Sequence, residues 1–90
     1  MDYQWDADNL GHIALHDMAP TDVEPILEHP DTEFSAPYTR DGEWRVTATG
    51  PRSDGRIVEV VFTQRGDVTR VVTAYPASGR VEREYREAHL

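Results

Sequence analysis

Three β-branched runs, each introduced by a turn signal, constrain this fold more than any other feature of the sequence. "EWRVTATG" at 43–50 alternates Trp44, Val46 and Ala48 with Arg45, Thr47 and Thr49, the period of two expected of a strand with one covered face. Asp41-Gly42 supplies the turn before it, and "SDG" at 53–55 the turn after it. "RIVEVVFTQ" then places Val58, Val60 and Phe62 inward and Glu59, Val61 and Thr63 on the other side. Gly66-Asp67 turns the chain again into "VTRVVTAY" at 68–75, which Pro76 closes because proline cannot donate to a ladder. Strands joined by turns this short form an antiparallel meander.

Before residue 31 the period is helical. "DYQW" has the length of a short strand, after which Asp6 can cap a helix over about residues 7–16 by accepting from the amides of its first turn. Leu10, Ile13 and Ala14 make its apolar stripe, and Asn9, His12 and His16 fall on a different face. "TDVE" at 21–24 reads as a capping box between Thr21 and Glu24, opening a second helix that buries Val23, Ile26 and Leu27 and stops at Pro30. After the strands, Ser78 can cap a last helix over 79–90 with a narrow stripe of Val81, Tyr85 and Ala88. "DTEFSAPYTRDGE" is the one irregular stretch, with room for a short edge strand. The expected fold is therefore α+β in one domain over 1–90: two N-terminal helices packed on a three- or four-stranded antiparallel sheet, followed by a C-terminal helix.

Ninety residues bury only about 60–65% of their unfolded surface, so one modest core is all the chain can support. Cysteine is absent, which excludes a disulfide framework and a thiolate zinc site. No basic, apolar leader or membrane-length run is present, so a cytoplasmic location is the expectation. The net charge of −8 hides a segregation: residues 1–39 hold nine acids and no Arg or Lys, whereas residues 40–90 hold all nine arginines and eight acids. Every permanent cation is thus a guanidinium, able to grip a phosphate or carboxylate with two donors.

Several patterns bear on chemistry. "HIALH" lacks the glutamate that a zinc-protease helix needs after its first histidine, and no third ligand lies nearby, so no metal or other cofactor is expected. His12 reads as a bystander on a solvated helix face. His16, in the last turn, precedes a loop that must pass close to the sheet and can move a proton near neutral pH. "RGD" at 65–67 is explained by its turn. The polar sheet face collects Arg45, Thr47, Thr49, Glu59, Thr63 and Arg65, joined by Arg70 or Tyr75 according to the parity of the last strand. A plain wet sheet face accounts for this pattern. So does a phosphodiester track, on which guanidiniums hold the backbone and Trp44, Tyr38 and Tyr75 stack bases. The track requires arginine tips that converge and are not taken up by neighbouring carboxylates.

"WDADNLGHIALHDMAPTDVEPIL", "SDGRIVEVVFTQRGDVTRVVTAY" and the closing "EREY" together resemble the BrnT-type toxins, small ribonucleases of type II toxin–antitoxin systems. The resemblance runs from about Trp5 to Tyr85. It implies a RelE-like fold and a metal-independent endoribonuclease that attacks phosphorus with the ribose 2′-hydroxyl. It also implies a cognate DNA-binding antitoxin, of ribbon-helix-helix type, with assembly as a homodimer or a toxin–antitoxin heterotetramer. Such a cut needs proton-transfer groups and cations for the crowded phosphorane. His16, Glu59 and Tyr85 are the candidates for the first task and Arg65, Arg70 and Arg83 for the second, with Arg45, Thr63 and Tyr75 as substrate-binding residues. Two departures stand out: Tyr75 occupies a place where the family often has Arg, and Asp17 one where it usually has Gly. They leave open a catalytically inactive relative that acts through protein–protein contact.

Overall fold

The computed structural model describes residues 1–89 and has the element order β1 (Asp2–Gln4), α1 (Ala7–Ala14), α2 (Pro20–Leu27), β2 (Glu33–Phe34), β3 (Tyr38–Arg40), β4 (Glu43–Pro51), β5 (Ile57–Arg65), β6 (Val68–Pro76) and α3 (Gly79–Ala88). Leu90, placed by the sequence in the last helix, lies outside the described residues. The α+β class holds, and β4, β5 and β6 form the expected antiparallel meander. The sheet is larger and more varied than a three- or four-stranded antiparallel one. It has six strands, β1 runs parallel to β6, and the irregular stretch contributes both β2 and β3 against β4. Asp41 and Gly42, both at positive φ (53° and 74°), join β3 to β4 in the two-residue turn whose twist matches a hairpin.

Asp6 caps α1 as expected, accepting from the amides of Asp8 and Asn9, while the Asn9 side chain accepts from the Asp6 amide. The helix ends at Ala14 rather than His16. Its last turn tightens into a Schellman motif, in which the Met18 amide bonds Ile13 and the Asp17 amide bonds Ala14 while Asp17 takes a left-handed φ of 58°. The stripe of α1 also differs from the expected one: Ile13 is buried together with Asn9, and Leu10 and Ala14 are exposed. For α2 the cap is Ala19, whose amide donates to Asp22, not the pair Thr21 and Glu24. Glu24 instead accepts from the Trp5 indole at 2.8 Å.

The core lies between α1, α2 and one sheet face, with Ile13, Met18, Val23, Ile26 and Leu27 packed on Ala48, Val58, Val60, Val71 and Ala74. Trp44, placed inward by the alternation, is 66% exposed. Helices of eight residues reach about 12 Å, whereas a nine-residue strand reaches about 30 Å, so the far end of β4 outruns its cover. The charge segregation is answered in three dimensions: Arg70 of β6 pairs with Asp6, and Arg52, in the loop after β4, with Asp22, each joining the basic half of the chain to an acidic helix start. No described helix is long and apolar enough to cross a membrane.

Candidate functional site

β6 carries an irregularity that shapes the site. Val61 pairs with Thr73 and the next residue, Phe62, with Val71, so Val72 is an extra residue with no partner on β5. A bulge of this kind shifts side-chain parity along a strand. The alternatives left by the sequence therefore both occur: Arg70, before the bulge, and Tyr75, after it, line adjoining hollows on the same side of the sheet.

Beyond Arg70, β6 has β5 on one side and no described strand on the other. Helix α1 covers this edge. Asn9, 1% exposed, donates to the carbonyls of Gln4 (2.8 Å) and Val71 (2.9 Å), and His12 lies 3.2 Å through Nδ1 from the carbonyl of Val72. Ile13 enters the core, which leaves His12 and His16 over the opposite sheet face.

There they meet Tyr38 and Arg40 of β3, Arg45 of β4, and Thr73 and Tyr75 of β6 around a groove of about 490 Å³. The rings of His16 and Tyr75 are 6.3 Å apart between centroids, tilted by 59°. Tyr38 shares a 2.8 Å hydroxyl contact with Thr47. Burial raises the pKa of the Tyr75 phenol, helped by the charge of Glu59, so Tyr75 stays a hydrogen-bond donor across the working range. His12, Arg45 and Val72 also line a second hollow of about 300 Å³ that brings in Arg65, Arg70, Asp8 and Glu43, so the two hollows form one continuous surface.

The sequence-predicted residues divide among several places. His16, Arg45 and Tyr75 come together in the groove, with Arg65 and Arg70 in the adjoining hollow. Glu59 is the cross-strand partner of Tyr75, but with Tyr85 it lines a neighbouring hollow of about 400 Å³ beneath α3 and not the groove itself. Glu59 has its proton affinity raised by burial, and the Tyr85 hydroxyl is taken up by the carbonyl of Asp31 at 2.9 Å. Thr63 is buried and donates to the carbonyl of Trp44, so its hydroxyl is already used. Arg83 is exposed on α3 and lines none of these hollows.

The expected row of unpaired guanidiniums is mostly not there. Among the described residues seven of the nine arginines make an ion pair, and Arg40 and Arg83 do not. Arg45 and Arg65 share Glu43, whose carboxyl they hold below the ordinary carboxylate range, the Arg45 hydrogen bond being the largest cause. The sequence gives Arg40 no role and puts His12 on a solvated helix face; His12 is indeed exposed, and both residues line the groove. The only sequence signal for Arg40 is a basic residue beside a hairpin turn, which gives no direction.

The sequence matches no protein-family model, and no curated protein is significantly similar to it. Imidazoles can carry protons, guanidiniums can neutralise a phosphoryl oxygen, and phenols can donate to one or stack on a base.

Proposed function

We propose that this protein is a metal-independent endoribonuclease of the BrnT kind, with a RelE-like arrangement of helices on an antiparallel strand core. The observation that carries the proposal is the convergence of His16, Tyr75 and Arg40, which makes no ion pair among the described residues, on one groove, with Arg45 beside them held by Glu43. A phosphodiester seated there presents its bridging oxygens to the imidazoles and its charged oxygens to the guanidiniums. The ribose 2′-hydroxyl loses its proton and attacks phosphorus, the 5′-oxygen departs with a proton, and a 2′,3′-cyclic phosphate remains. Histidine suits both proton transfers near neutral pH, whereas Arg40 and Arg45 suit only charge neutralisation. The chain continues over the adjoining hollow, where the more exposed Arg65 offers a further phosphate contact by exchanging Glu43 for it, while Arg70 stays on Asp6. The partner is a small basic antitoxin of ribbon-helix-helix type, matched in charge to the acidic N-terminal half, and the site of action is the cytoplasm.

Incubating the purified protein with RNA in EDTA tests this. Cleavage to cyclic-phosphate ends, lost in His16→Ala, supports it, and intact RNA beside a folded wild type at micromolar concentration overturns it.

One observation favours a second reading. Arg65 and Arg70 are paired with carboxylates and Tyr75 stands where the resemblance implies Arg, as suits a relative that has lost catalysis and binds only protein. An inactive wild type in which Tyr75→Arg restores cleavage identifies that case.

A further inference from the structure

Asn9 and His12 take up two consecutive carbonyls of one strand from one side, those of Val71 and Val72. In an unbroken strand successive carbonyls point to opposite neighbours, so a single helix could reach only one of them. The extra residue at Val72 is what turns both toward α1. Asn9 anchors the arrangement: both its amide protons and its oxygen are engaged, tying β1, the start of α1 and β6 together. His12 follows three residues later on the helix, and its ring is set over the next carbonyl.

A carbonyl oxygen only accepts, so the 3.2 Å approach of Nδ1 to Val72 is a hydrogen bond only when Nδ1 carries hydrogen. In the neutral ring the lone pair then sits on Nε2. The geometry assigns His12 the Nδ1–H tautomer, held by the bulge, and makes it the proton acceptor of the groove, the group that takes the 2′-hydroxyl proton. This rests on the nuclease reading and deepens it. The Nδ1–H bond to Val72 persists when Nε2 takes up a proton, so the ring need not reorient during the transfer. His16, four residues on in the turn that ends α1, is left to protonate the departing 5′-oxygen, so the two histidines divide the two proton transfers.

Long-range proton–nitrogen NMR of the ring nitrogens in the wild type, at a pH where the rings are neutral, reads the tautomer directly. Nδ1–H at His12 supports the assignment. Nε2–H, the form a free imidazole prefers in water, or a mixture of the two overturns it. The chemical role is read in His12→Ala, a surface substitution: cleavage is expected to fall by about 10²–10⁴-fold. Binding of RNA blocked by 2′-O-methylation is expected to change by less than about twofold. Undiminished cleavage in His12→Ala overturns the acceptor role. A wild type that shows Nδ1–H yet cuts no RNA upholds the tautomer and sinks the nuclease reading instead, so the two failures are distinguishable.

Discussion

Arg70 grips Asp6 through two guanidinium nitrogens, at 2.7 and 3.3 Å, across 64 residues of sequence. The same carboxylate caps α1, so one side chain fixes both where the histidine helix begins and how it sits on β6. The Arg70 hydrogen bonds, followed by that from the Asn9 amide, hold the Asp6 carboxyl below its ordinary range. A carboxyl lowered on folding stabilises the native state above its unfolded pKa of about 3.9, and that contribution fades as pH falls toward the folded value. Urea midpoints measured from pH 5 downward are expected to drop less steeply in Asp6→Asn than in the wild type. Equal slopes would remove Asp6 from the acid limb.

Asp17 holds the left-handed position that ends α1, where any side chain costs energy that glycine avoids. Asp17→Gly is expected to raise stability by roughly 0.5–1 kcal/mol in urea unfolding. A loss of stability would show that the aspartate side chain contributes something at that turn beyond its backbone geometry.

Glu43 occupies Arg45 and Arg65 together, where a phosphate of the substrate is proposed to lie. Glu43→Gln releases both cations, so RNA is expected to bind roughly two- to fivefold more tightly, with a steeper salt dependence. Fluorescence titrations at two salt concentrations test this. Unchanged affinity would remove the adjoining hollow from the RNA path.

Asn9 fills three hydrogen-bond roles at a buried position. Asn9→Ala leaves two carbonyls and an amide without those partners and is expected to cost about 2–4 kcal/mol in chemical denaturation. A cost below about 1 kcal/mol would mean that water replaces the amide at the β6 edge.

Helix α3 is held mainly by polar anchors: Tyr85 on the carbonyl of Asp31, Arg86 on that of Gly55, and His89 on Glu33. Tyr85→Phe removes one of these, and α3 amides are expected to exchange roughly fivefold faster while those of β5 keep their protection. Uniform acceleration across both would show instead that α3 opens only with the whole molecule.

What could be read from the sequence follows from how local each signal is. Asp41-Gly42 and Gly66-Asp67 announce hairpins by chemistry confined to two residues, and Asp6 announces a helix by reaching only the next turn. The parallel pairing of β1 with β6 rests on three residues matched to a strand far along the chain, and nothing in "DYQ" encodes it. The bulge at Val72 contains no glycine, so it left no mark in a β-branched run, and the parity of Arg70 and Tyr75 stayed open. Asn9 looked like a surface residue because an amide counts as polar until a carbonyl is found for it. His16, Arg45 and Tyr75 were legible as chemistry, but which of them share a groove was set by that bulge.

Helix α1 also shields the exposed border of β6, the kind of open strand on which foreign chains can nucleate aggregates. Any ligand or mutation that pries the imidazoles away from the sheet thereby uncovers a sticky seam. Loss of the proposed cleavage and loss of solubility are thus coupled hazards in this molecule, and a ligand that wedges beneath the helix should precipitate the protein.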